Sequence, residues 1–129
     1  MSKIYPSSFI YLNKSKIPES GKGVFASKNI KTGEIIEVAP ILVLEFRDFI
    51  DTRWNLLFEY YFWMDDYVAL ALGFASMYNH AQNANAKYEL NREEKTIIFT
   101  AIKDIKKDSE ICFNYKGPTN PKTPLWFEK

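Results

Sequence analysis

Ala71-Leu72-Gly73-Phe74-Ala75-Ser76-Met77-Tyr78-Asn79-His80-Ala81-Gln82-Asn83-Ala84-Asn85 is the stretch on which the fold turns. Gly73 to Met77 reads as one helical turn that delivers the polar Asn79-His80 pair. Just before it, Tyr67-Val68-Ala69-Leu70 reads as a short strand, joined at Asp65-Asp66 to a second one, Tyr60-Tyr61-Phe62-Trp63. Just after it, Ala86 to Leu90 and Thr96 to Ala101 alternate as the arms of a hairpin around Asn91-Arg92-Glu93-Glu94. Asp104 to Asp108 then turns into a strand from Glu110 to Phe113.

Further upstream the same period-2 pattern dominates. Phe9 to Leu12 reads as a first strand, and Gly21-Lys22-Gly23 as a loop leading into Val24-Phe25-Ala26. Lys31-Thr32-Gly33-Glu34 has turn composition, and Glu34 to Val38 reads as a strand that stops near Pro40, with Ile41 to Leu44 extended after it. Between Arg47 and Phe58 the pattern loosens into a short helix or an irregular insert. Many short strands and little helix make a mostly-β domain.

Bulk properties narrow the possibilities. At 129 residues the chain is one domain. A net charge of +1 gives no electrostatic ground for direct nucleic-acid binding. No apolar run approaches the ~20 residues of a membrane span, and the first residues carry no secretory signal, so an intracellular protein is expected. A single cysteine, Cys112, excludes an internal disulfide, and with a single histidine no Cys/His zinc site can be assembled within one chain. Residues 41 to 80 hold six acids against two bases, which suits either a basic peptide partner or an ordinary solvated surface.

Three pieces occur in order: Gly21-Lys22-Gly23-Val24-Phe25-Ala26, then Asn79-His80 with Asn85, then Glu110-Ile111-Cys112-Phe113-Asn114-Tyr115. Together they resemble the motif set of SET-domain protein lysine methyltransferases, and most of all the minimal viral form that lacks flanking zinc domains. The resemblance runs from about Phe9 to Phe127. It implies a SET (β-clip) fold of several small sheets, short helical turns and a C-terminal pseudoknot. The core would span residues 9–117 and a cap segment residues 118–129.

The resemblance also implies roles. Gly21, Lys22 and Gly23 would pass close to S-adenosylmethionine, glycine removing the Cβ that would block a backbone approach; alone, Gly-x-Gly is an ordinary turn. Lys22 would offer charge to the cofactor's carboxylate, or simply be solvated. Asn79 and His80 would form the second cofactor contact, the amide of Asn79 having both donors and an acceptor to give. Tyr115 would be catalytic. With Tyr60 and Phe113 it would line the channel that admits the substrate lysine, although Tyr60 fits an ordinary packed aromatic equally well. Strand alternation puts Phe113 and Tyr115 on one face and Cys112 away from it, as a packing residue. Trp126 would fold back over the cofactor, or remain a tail ring or a dimer contact.

Phenylalanine at 113, where this family alternates Phe and Tyr, implies room for more than one methyl group. Departures from the family pattern are Ala81 for the usual serine, Ala84 for proline, and Asp108-Ser109-Glu110 for Gly-Glu-Glu. No cysteine triad follows Tyr115, so a zinc-bound cap is not expected, and no other metal either. The expected partners are a lysine-containing basic segment, with histone tails foremost, and a second copy of the chain in a homodimer. A histone substrate would put the protein in a nucleus. A non-histone substrate, or an inactive SET-like peptide-binding module, are the alternatives.

Overall fold

The computed structural model describes residues 3–45, 47, 60–64 and 66–114. Its strands are β1 (Ile10–Lys14), β2 (Lys22–Ala26), β3 (Ile35–Leu44), β4 (Phe62–Trp63), β5 (Val68–Ala71), β6 (Asn79–His80), β7 (Ala86–Asn91), β8 (Thr96–Ala101) and β9 (Glu110–Phe113). A 3-10 turn, Ala75–Met77, leads into β6. The strands follow one path, β1-β2-β9-β7-β8-β3-β5-β4, with β6 attached to β9. Mostly-β architecture is therefore what the chain adopts. No helix among the described residues is long and apolar enough to cross a membrane.

The hairpin forms where alternation places it. Ala86 pairs with Ala101 and Asn91 with Thr96, and the inward phase of β8 is Ile97, Phe99 and Ala101, all buried. Asn91 Oδ1 accepts the Glu94 N–H at 3.0 Å and holds the turn.

One expectation is corrected. The strand does not stop near Pro40 but runs unbroken through it. Residues up to Pro40 pair with β8, and from Ile41 onward the strand pairs with β5. Proline thus sits where the strand leaves one ladder for another, so its missing N–H interrupts neither, while its carbonyl accepts the Leu72 N–H at 2.9 Å.

Closure depends on β9. It pairs antiparallel with β2 and parallel with both β6 and β7, so a strand from the end of the described chain is inserted beside one from its beginning. Ile111, Cys112 and Phe113 are all buried as a result. Burial, with the nearby Glu110 charge second, pushes the Cys112 thiol up to about 12, so it stays protonated at neutral pH and packs rather than reacts. The Arg47–Phe58 expectation lies almost wholly outside the described residues, as do the cap segment 118–129 and the two site residues Tyr115 and Trp126.

Candidate functional site

Three segments converge on one cavity. The first is the loop ahead of β2. The Ser15 N–H donates to the Gly21 carbonyl at 2.7 Å, and Ser15 Oγ accepts the Ile17 N–H at 3.0 Å, which closes the loop on itself. The second runs from β5 through the 3-10 turn to β6, where Ser76 Oγ donates to the Ala71 carbonyl at 2.5 Å. The third is β9, aligned with β6 so that Asn79 faces Cys112 and His80 faces Phe113.

Between them lies a cavity of about 440 Å³, whose lining includes Gly21, Lys22, Tyr60, Asn79, His80 and Phe113. Those are six of the nine site residues singled out in the sequence, drawn from positions up to 92 apart. Gly23 does not line it. A Cβ on Gly23 would stand 2.4 Å from Glu110 Oε2 and 3.1 Å from Asn79 Nδ2, so the missing side chain makes room for two of the protein's own groups.

Two polar clamps hold the site, and Asn85 supplies the first. Its Nδ2 donates to the Glu110 carbonyl at 3.0 Å, its Oδ1 accepts the Cys112 N–H at 2.9 Å, and its own N–H donates to the Cys112 carbonyl at 3.2 Å. One side chain thereby mimics a strand neighbour for β9, without the usual proline before it. The second clamp is Glu110, whose carboxylate accepts from Ser15 Oγ at 2.8 Å, Lys16 N–H at 3.0 Å and Asn79 Nδ2 at 2.9 Å.

The apolar wall is a ring cluster. Phe113 meets Phe62, Tyr88 and Phe99 at centroid distances of 5.7, 5.4 and 5.6 Å, and Tyr78 stacks on Phe99 at 4.0 Å. Phe62, Tyr78 and Phe113 present this cluster to the cavity.

Behind Tyr78 sits Glu37, buried in β3 in phase with Ala39 and Ile41. Its carboxylate accepts the Tyr78 O–H at 2.9 Å and the Phe74 N–H at 3.0 Å. Gly73, at φ +63°, lies so close that a Cβ there would stand 2.8 Å from Glu37 Oε2. Burial holds the Glu37 carboxyl above the usual carboxylate range, against the lowering effect of these two donors. Burial and the Glu37 charge likewise push the Tyr78 phenol well up.

Because the folded state holds the Glu37 proton more tightly than the unfolded chain does, this group's contribution is complete below pH ~4.5 and is lost as pH rises through its raised folded value. Glu37→Gln, whose amide can accept from Phe74 and donate to Tyr78, removes that loss. Urea midpoints at about pH 5 and about pH 8 should converge in the variant relative to wild type, with the gain at the higher pH. Parallel shifts in both proteins would show that Glu37 does not titrate differently on folding.

Glu37, Glu110, Tyr78 and Ser15 were given no role from the sequence, although Glu110 opens the third motif and Glu37 is an acid at an inward position of an alternating strand.

A family model for the SET domain matches residues 21–116. A histone-lysine N-methyltransferase of Schizosaccharomyces pombe, specific for H3 lysine 37, is 31% identical over 110 residues, covering 84% of this chain and 71% of that protein. A Plasmodium falciparum protein assigned as a histone methyltransferase is similar in structure, with a TM-score of 0.71 at 28% identity, over 97% of this chain and 100% of that one. A chain of Chaetomium thermophilum polycomb repressive complex 2, in an autoinhibited conformation bound to S-adenosylmethionine, has a TM-score of 0.71 at 25% identity. That match covers 86% of this chain but only 15% of the larger one.

Proposed function

The chain belongs to the SET-domain family, alongside histone-lysine methyltransferases, and on that premise we propose that it moves methyl groups from S-adenosylmethionine to a protein lysine. Histone is the proposed substrate class, in the nucleus of a host or producing cell, and the product carries more than one methyl group. The observation that carries the proposal is the convergence of Gly21, Lys22, Tyr60, Asn79, His80 and Phe113 on one cavity.

The residues fit the donor. Both Asn79 amide hydrogens are spent, on the Lys22 carbonyl at 3.1 Å and on Glu110, which leaves Oδ1 to accept from an ammonium group. Lys22, in the lining, carries the charge proposed for the donor's carboxylate, and the ring wall the apolar surface proposed for its adenine. A volume of about 440 Å³ lies within the range of small-molecule sites.

Bound there, the donor supplies a methyl group on a positively charged sulfur. Held by Asn79, Lys22 and the ring wall, it would give up that methyl to the lone pair of a neutral substrate nitrogen, with the C–S pair leaving on sulfur. Free lysine, with a pKa of ~10.4, is almost wholly protonated at neutral pH. Phe62 and Phe113 make their own side of the lining apolar, which disfavours an ammonium there and favours the neutral amine needed for attack. Tyr115 is assigned to orient that amine through its hydroxyl, and alignment of the two reactants provides much of the acceleration. A second copy of the chain is proposed to complete the substrate side, where relatives with a cysteine triad carry a zinc-bound cap.

Incubation with mixed histones and radiolabelled S-adenosylmethionine, followed by mass spectrometry, tests this. Dimethyl- and trimethyllysine should accumulate at saturating enzyme, and Phe113→Tyr should shift the product toward monomethyllysine. Monomethyl product alone from wild type would remove the multiplicity; donor binding without transfer would leave a binding module.

A further inference from the structure

We propose that Glu110 is a positioning residue that sets which end of the Asn79 amide faces the cavity, and so makes the site select for a ligand ammonium group. The inference rests on the methyl-donor function just proposed and deepens it.

An asparagine amide can turn end for end at little steric cost, so its polarity is fixed only by its neighbours. Here both neighbours of Nδ2 are acceptors, the Lys22 carbonyl at 3.1 Å and Glu110 Oε2 at 2.9 Å. Turning the amide would set Oδ1 against two oxygens. The Glu110 carboxylate is itself held from the other side, by the Lys16 N–H at 3.0 Å on Oε1 and by Ser15 Oγ. Room for the pair exists because residue 23 has no Cβ.

The consequence for Glu110→Gln is specific. The Lys16 N–H cannot turn, so it demands the glutamine oxygen on its own side and sends the new NH₂ toward Asn79. Asn79 can relieve the donor–donor clash only by turning, which sets Oδ1 against the Lys22 carbonyl, so neither orientation is held and a share of the molecules offer the cavity a donor in place of an acceptor. A ligand ammonium meets that donor unfavourably. Gly23→Ala reaches the same end by another route, since its Cβ would displace Glu110 Oε2.

Calorimetry on the whole chain tests this with three ligands: S-adenosylhomocysteine, its analogue lacking the amino group, and 5′-methylthioadenosine, which lacks the amino-acid end. Wild type should prefer S-adenosylhomocysteine over the deaminated analogue by about tenfold or more. Glu110→Gln should bring that ratio close to unity while 5′-methylthioadenosine binds as in wild type. Gly23→Ala should do the same, and decides the matter if the first variant does not fold. A preserved ratio in folded Glu110→Gln or Gly23→Ala overturns the proposal, and so does a parallel loss for all three ligands, the mark of a merely structural role. Wild type that binds none of the three overturns the methyl-donor function and this inference with it.

Discussion

Phe99→Ala should destabilise the domain by about 3–5 kcal/mol, the range for removing a fully buried phenylalanine. Phe99 has no exposed surface and sits at the back of the ring cluster. It stacks on Tyr78 with an interplanar angle of 13° and meets Phe113 edge-on at 80°. A domain of this size has only about 5–15 kcal/mol in total, so a melting temperature lower by about 10–20 °C is expected from circular dichroism. Donor affinity should fall as well, because Tyr78 and Phe113 line the cavity and lose the ring that holds them. Phe99→Leu, which fills most of the volume, should recover most of both losses. A melting temperature within a few degrees of wild type in the alanine variant would show that the cluster collapses around the gap at little cost.

Tyr115→Phe should lower methyl transfer by about 10²- to 10³-fold, the usual cost of deleting one preorganised hydrogen-bonding group at a reacting centre. The expectation comes from the sequence: Tyr115 follows Phe113 by two positions, and Phe113 is part of the cavity wall. The loss should appear in single-turnover rate, while S-adenosylhomocysteine affinity stays near wild type, because the proposed work of the hydroxyl is on the substrate amine. Undiminished transfer would remove Tyr115 from the mechanism.

Residues that announce themselves by local pattern were legible. The β7–β8 hairpin declared itself by alternation across a polar turn, and the 3-10 turn by small residues ahead of Asn79. Six of the site residues came from motif resemblance, and they do meet at one cavity. What was not legible depends on partners far away in the chain. Glu110 has a place in a motif but no task until Ser15 and Asn79 are brought to it from 95 and 31 residues away. Glu37 likewise acquires its meaning from Tyr78, 41 residues on. Gly23 invited a ligand-approach explanation because a bare sequence cannot say which atoms fill the space a side chain would take. Pro40 was misjudged for a related reason: proline forbids a ladder bond only where a ladder needs one, and the change of partner strand is a tertiary fact.

The insertion of β9 beside β2 has a kinetic corollary. Phe25 and Glu110, paired across that seam, are 85 positions apart, and topologies dominated by such distant pairings fold slowly, in milliseconds to seconds. During synthesis the early strands leave the ribosome long before their neighbour exists. Until residues 110–113 emerge, β2 has an unpaired edge, the kind of exposed ladder through which nascent chains stick to one another. A nascent chain halted short of Glu110 would hold nearly all the cavity's lining in its sequence and yet be unable to assemble it.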